Sequence, residues 1–164
     1  MDIRLIWLAV GTFAIGAESF GIASLLPQIA ESTGVSLTQA GYLVLVFALA
    51  NAFGAPVLAA LTGTADRRRT LTAAALVFSA SALGAALSHG YFDLMAARVL
   101  MAFSAGLYSA TAQATGVAIV SPDHRARAIS VIVGGTTMAV AFGAPLGAFV
   151  GGARRGRQQE HAVG

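Results

Sequence analysis

Five apolar stretches, each roughly 18 to 26 residues long, decide what this chain can fold into, because that is about the length that crosses a hydrocarbon core near 30 Å thick. They run approximately over residues 5–26, 37–61, 71–87, 93–120 and 128–152. Short polar connections separate them: Pro27 to Ser36, Thr62 to Thr70, Ser88 to Phe92, and Ser121 to Arg127. Connections this short force consecutive helices to run antiparallel. The expected fold is all-α and integral to a membrane, with five transmembrane helices.

Composition excludes the alternatives. The 164 residues are 57% hydrophobic and only 10% charged, whereas soluble domains carry about 25% charged residues. A water-soluble globule is ruled out on that ground. The formal net charge of +3 comes entirely from arginine, since lysine is absent. These arginines form no continuous basic face. They cluster between the apolar runs, as in membrane loops, so the expected partner is the lipid bilayer and no nucleic acid. The absence of cysteine removes disulfides, thiolate metal sites and cysteine nucleophiles. The first stretch is not expected to be a cleaved leader, because its apolar core is longer than a leader's and it contains Glu18.

The arginines also predict orientation. With a cytoplasmic N-terminus, Arg4, Arg67, Arg68, Arg69, Arg125 and Arg127 all fall inside, and the outer connections near Glu31 and near His89 to Tyr91 have none. Only Arg154, Arg155 and Arg157, after the fifth stretch, break the pattern.

Two charges sit well inside apolar stretches, Glu18 in the first and Arg98 in the fourth. Charged groups at membrane depth are costly and persist where they pair, face a cavity or move ions. At 1.5 Å per residue, Glu18 lies roughly 12 Å and Arg98 roughly 8 Å from the same outer surface. They can therefore occupy neighbouring depths on different helices. Burial favours the neutral form of a carboxylate and a nearby cation favours its charged form, a balance that suits proton exchange. The blander alternative is an Arg98 that reaches the interface and a Glu18 in a passive polar seam.

The remaining polar and small residues fit membrane packing. Asn51 and Gln113 either line a cavity or hydrogen-bond between helices, and the second role is the one expected. Gly143, Gly147 and Gly151 recur every four residues and share one helix face, which allows close helix approach, and Pro145 favours a kink. Asp66-Arg67-Arg68-Arg69 is expected to anchor topology at headgroup level, with a charge clasp to neighbouring helix ends as the more specific role. Tyr42 and Tyr91 fit an outer aromatic belt and Trp7 an inner one. No enzyme is indicated. His89, His124 and His161 are far apart, neither a metal cluster nor a triad is visible, and no P-loop or cofactor motif is present.

Several ordered stretches resemble the N-terminal portion of major facilitator superfamily transporters, specifically the drug:proton antiporter group of chloramphenicol-resistance and arabinose-efflux permeases. Gly16-Ala17-Glu18-Ser19-Phe20 with Leu25-Leu26-Pro27-Gln28-Ile29-Ala30 is similar to the group's first-helix signature. Thr62 to Leu71 stands in the place of the cytoplasmic loop motif, Leu94-Met95-Ala96-Ala97-Arg98 resembles the fourth-helix motif, and Gly143-Ala144-Pro145-Leu146-Gly147 resembles the fifth-helix antiporter motif. There are departures. In the loop motif Ala59 leads, Gly63 stands where an acid is usual, and Asp66 stands where a later glycine is usual. Met101 and Ala102 replace the glutamine and glycine of the fourth-helix motif, and Ala144 replaces a glycine beside Pro145.

The resemblance implies a proton-coupled efflux transporter of drugs or small molecules. Glu18 and Arg98 would be the proton-coupling residues, Asn51 and Gln113 the cavity candidates, and Gly63, Asp66, Arg67 and Arg68 the loop motif. It also implies a six-helix N-terminal half, of which residues 1–152 supply five helices, with the C-terminal half of the transporter as a missing partner. Transporters of this kind hold substrate near the midplane between two repeat-built halves. The hydrophilic stretch 153–164 departs from the family and is expected to mark a frameshift or premature stop. The chain alone would then be inactive. A sugar or metabolite permease is one alternative, and an integral-membrane interaction module that docks through the Gly143–Gly151 face is another.

Overall fold

A computed structural model of the chain describes residues 3–88 and 90–142. Among them the chain is helical and contains no strand. The elements are α1 (Ile3–Gly21), a 3-10 turn (Ile22–Leu25), α2 (Leu26–Thr33), α3 (Leu37–Leu61), α4 (Arg67–Ala86), α5 (Tyr91–Ala118), a second 3-10 turn (Pro122–His124) and α6 (125–142). Four helical stretches, Ile3–Thr33, Leu37–Leu61, Arg67–Ala86 and Tyr91–Ala118, are long and apolar enough to cross a membrane.

Local chemistry explains where these elements start and stop, and where the sequence expectation needs correcting. The segment Pro27 to Ser36, expected as a connection, is helical as far as Thr33. Pro27 lies in the first turn of α2, where its missing N–H has no intrahelical partner to lose. The stop comes instead at Gly34, whose φ of +69° is the left-handed cap that only glycine adopts without strain. Gly34 and Val35 both return their N–H groups to the Ala30 carbonyl.

Next, Ser36 opens α3 with a reciprocal capping box: its Oγ accepts from Gln39 N at 3.2 Å, and its N–H donates to Gln39 Oε1 at 2.9 Å. Pro56 is accommodated within α3. The third helix starts at Arg67, earlier than the expected residue 71, because the Asp66 carboxylate accepts the Arg68 N–H at 2.9 Å and caps it. Arg67, Arg68 and Arg69 thus belong to a helical turn, not to a loop. The fourth helix starts at Tyr91 and ends at Ala118, and α6 starts at residue 125 where 128 was expected. Gly143, Pro145, Gly147 and Gly151, together with the 153–164 stretch, lie outside the described residues.

Helix α5 is the centre of the bundle. It packs along α3 and α4 and touches α1, and it buries Leu94, Arg98, Met101, Ala105, Tyr108 and Ala112. Small residues permit these approaches. A Cβ on Gly106 would meet Asn51 Oδ1 at 2.5 Å and the Ala55 Cβ at 2.7 Å, so α3 and α5 touch nearly backbone to backbone there. Helix α6 lies against α1: Thr12 Oγ1 is 2.9 Å from the Ile132 carbonyl, and a Cβ on Gly135 would strike the Ala9 carbonyl. Outward faces are apolar, as on α3, where Leu45, Leu49, Phe53, Val57 and Leu61 form an exposed stripe at four-residue spacing. In water that stripe would be a liability, but in lipid it is matched to its solvent.

Candidate functional site: a charge pair between α1 and α5

Glu18 lies near the end of α1, and Arg98 lies in the second turn of the antiparallel α5. The antiparallel run brings these two positions to a common depth. Arg98 Nη1 donates to Glu18 Oε1 at 3.1 Å and Oε2 at 3.2 Å. A single nitrogen therefore makes the ion pair, while Nε and Nη2 are buried with no acceptor among the described residues. The guanidinium carbon also lies 4.9 Å from the centre of the Phe47 ring on α3, in cation–π geometry. Three helices thus hold one cation.

The two partners have unequal access. Arg98 is 1% exposed and the Glu18 side chain 36%. The carboxylate borders a cleft of about 530 Å³ walled by Ile22, Leu25 and Ile29 on one side and by Ala82, Ala85 and Leu94 on the other. Chemically, the reachable member of the pair is the one that can exchange a proton, and the sealed member is the one that cannot lose its charge.

The other expected residues are distributed away from this pair. Asn51 is half-buried on α3 against Gly106, and Gln113 is half-buried near the far end of α5. Neither side chain makes a hydrogen bond among the described residues, and the two are not brought together with Glu18. Gly63 is exposed in the turn after α3. At the arginine-bearing end, Arg67 Nη1 donates to the Ala114 carbonyl at 2.9 Å, so α4 clasps the last turns of α5 through a backbone group. Tyr91, expected only as an interfacial ring, donates its hydroxyl to the Gln39 carbonyl at 2.7 Å and ties the start of α5 to that of α3.

Some of this was findable in the sequence. An aspartate just before an apolar helix is an N-cap signal, so the role of Asp66 could have been read directly. Phe47, by contrast, is one of nine phenylalanines, and nothing in its neighbours distinguishes it.

The described residues gather Arg4, Arg67, Arg68, Arg69, Arg125 and Arg127 at one end of the bundle, formed by the starts of α1, α4 and α6 and the end of α5. The opposite end carries Glu31 and Asp93 and, among the described residues, no arginine.

Comparison with known proteins gives this architecture its relatives. Residues 8–156 match the Major Facilitator Superfamily. The MFS-type transporter YtbD of Bacillus subtilis (strain 168) is 40% identical over 147 residues, 90% of this chain and 37% of the relative. The chloramphenicol resistance protein of Streptomyces lividans is 37% identical over 151 residues, 92% of this chain and 38% of the relative. The inner membrane transport protein YdhP of Escherichia coli (strain K12) is 29% identical over 147 residues, again 90% of this chain and 38% of the relative. The chain thus spans well under half the length of these curated relatives. With a family match over nearly its whole length and a helical bundle built for lipid, the chain belongs to the major facilitator superfamily of membrane transporters.

Proposed function

We propose that these residues form the N-terminal part of a proton-coupled efflux transporter for drugs or other small molecules, with Glu18 as the proton-exchanging group and Arg98 as its fixed counter-charge. The observation that carries the reading is the asymmetric pair, a sealed guanidinium bonded at 3.1 Å to a carboxylate that borders a cleft. The chloramphenicol resistance relative supports small-molecule export as the direction of work. A proton arriving at Glu18 removes the charge that balances Arg98. The cation then sits uncompensated in a low-dielectric bundle, and the arrangement that re-hydrates or re-pairs it becomes favoured. Substrate binding that disturbs the same pair would release the proton, which couples the two flows.

The distribution of arginines supports a cytoplasmic location for the arginine-bearing end in the inner membrane, and with it a cytoplasmic N-terminus. The relatives extend well beyond the matched region, and a cavity between two halves requires that further length. Transport is therefore assigned to the longer polypeptide, with the missing C-terminal half as partner, and this chain alone is assigned no turnover.

The test is transport by a full-length transporter carrying these residues, reconstituted in vesicles with an imposed pH gradient. Glu18→Gln is expected to abolish gradient-driven export while leaving substrate exchange without a gradient intact. Retained gradient-driven export in that variant overturns the assignment.

A further inference from the structure

Away from the charge pair, a groove of about 860 Å³ opens at the arginine-bearing end, between the first turns of α1 and α4 and the last turns of α5. Its lower wall is apolar, formed by Leu8, Leu71 and Ile119, and its rim carries Arg4, Arg67 and Arg68 against one carboxylate among the described residues, Asp66. Trp7 lines the same groove and is 68% exposed. The acid is already engaged, since its Oδ1 accepts the Arg68 N–H at 2.9 Å. Arg67 is committed through Nη1 to the Ala114 carbonyl. The Arg68 guanidinium makes no hydrogen bond or ion pair with any described residue.

We propose that this groove is a binding site for an anionic phospholipid, its phosphate held by Arg68 with Arg4 and Arg67 beside it and an acyl chain laid along Leu8, Leu71 and Ile119. Among the described residues three arginines over one acid give a net positive rim, and guanidinium groups match phosphate oxygens with two parallel hydrogen bonds. A free inorganic anion would use the rim alone. Only an amphipathic anion also uses the apolar wall directly beneath it, and the membrane that surrounds this chain supplies one. The depth is right as well, because an indole such as Trp7 settles at headgroup level. Basic pockets between helix ends at the membrane surface are suited to anionic headgroups on general electrostatic grounds. The inference is independent of proton coupling. It requires only that the chain sits in a bilayer, and a bound lipid would brace the start of α1 against the ends of α4 and α5 that the Arg67 clasp joins.

Trp7 is the only tryptophan in the chain and provides the readout. The intact 164-residue protein, reconstituted in phosphatidylcholine vesicles, is titrated with brominated phosphatidylglycerol or with brominated phosphatidylcholine at matched mole fractions, and quenching of Trp7 is compared. Phosphatidylglycerol is expected to occupy the site at least fivefold more strongly, roughly the worth of one arginine near a charged surface. Arg68→Gln should erase about that factor, Arg68→Lys should erase part of it, and Arg125→Gln, which removes the same charge at the same end but lies off the groove, should leave it intact. Equal quenching by the two lipids overturns the site. An equal loss in Arg68→Gln and Arg125→Gln also overturns it, in favour of a diffuse field. Relief of quenching by millimolar inorganic phosphate overturns the lipid assignment in favour of a site for phosphate alone.

Discussion

Replacing Glu18 should harm this protein far more than replacing Arg98, although each change breaks the same ion pair. Arg98 is 1% exposed and cannot shed its charge, so Glu18→Leu leaves a sealed cation with, among the described residues, only the Phe47 ring beside it. Removing one partner of a fully buried pair costs about 3–5 kcal/mol. The Glu18 side chain is 36% exposed, so part of its field is already screened, and the lower end, about 3 kcal/mol, is the appropriate figure. Arg98→Met leaves a carboxylate that borders a cleft and can take up a proton, so its cost should stay near 1 kcal/mol, mostly the lost hydrogen bonds at 3.1 and 3.2 Å.

The double variant Glu18→Leu with Arg98→Met carries no charge and retains apolar volume. It should recover most of the loss and stand within about 1 kcal/mol of the parent, as replacements of buried pairs by hydrophobes do. The assay is unfolding of the purified chain in mixed micelles by titration with a denaturing detergent, followed by helical circular dichroism. Two results would refute the reasoning. One is equal destabilisation by the two single changes, which would mean that access does not distinguish the partners. The other is a double variant no better than Glu18→Leu, which would mean that the damage comes from side-chain shape and not from an orphaned charge.

Gly106→Ala should destabilise by about 1–3 kcal/mol through overpacking, because its Cβ would meet Asn51 Oδ1 at 2.5 Å, and Asn51→Ala in the same chain should relieve part of that in the same detergent titration. Asp66→Ala should lower stability by about 1 kcal/mol through loss of the cap on α4, while Asp66→Asn, an equally good cap, should be nearly silent; a large effect of Asn would assign the residue to charge instead. Arg67→Gln removes the donor to the Ala114 carbonyl and should cost about 1 kcal/mol or less at this exposed site, read most directly as faster amide exchange in the last turns of α5.

How much of this was legible beforehand divides along physical lines. Burial against lipid imposes a length and a composition on every spanning helix, so the helical class could be read from apolar runs alone, and the first four expected stretches correspond to long apolar helices among the described residues. The common depth of Glu18 and Arg98 was legible for a related reason, since helix rise converts sequence position into depth. Azimuth was not legible. Helix α3 is apolar on every side, so nothing marks Phe47 as the ring that faces Arg98. Helix ends were misjudged where a cap lies outside the apolar run: Asp66 started α4 early, and Gly34, not Pro27, ended α2. Hydropathy is blind to both, because caps act through single hydrogen bonds at positions that lipid never touches.

The polar contacts of α5 acquire a meaning when taken together. Near one end Arg98 ties it to α1 and Tyr91 ties it to α3, and near the other Arg67 ties α4 to its Ala114 carbonyl. Between them it meets its neighbours mainly through Met101, Ala102, Ala105, Gly106 and Ala112, which are apolar or lack a side chain. Contacts of that kind resist separation but offer little resistance to sliding or tilting, since no directional bond must break. The two ends differ in what can release them. The Arg67 bond is to a backbone carbonyl, which has no titratable state, whereas the Arg98 bond is to a carboxylate, which does. In the proposed cycle a proton at Glu18 therefore releases α5 from α1 but not from α3, to which the Tyr91 hydroxyl still binds it, and the helix moves against α1 with the Arg67 clasp as its pivot on α4. Uncoupling at the fixed end should then be as damaging to transport as uncoupling at the switch: in the full-length transporter, Arg67→Gln should slow gradient-driven export while leaving proton binding at Glu18 unchanged. Normal export by that variant would show that the clasp is not the pivot.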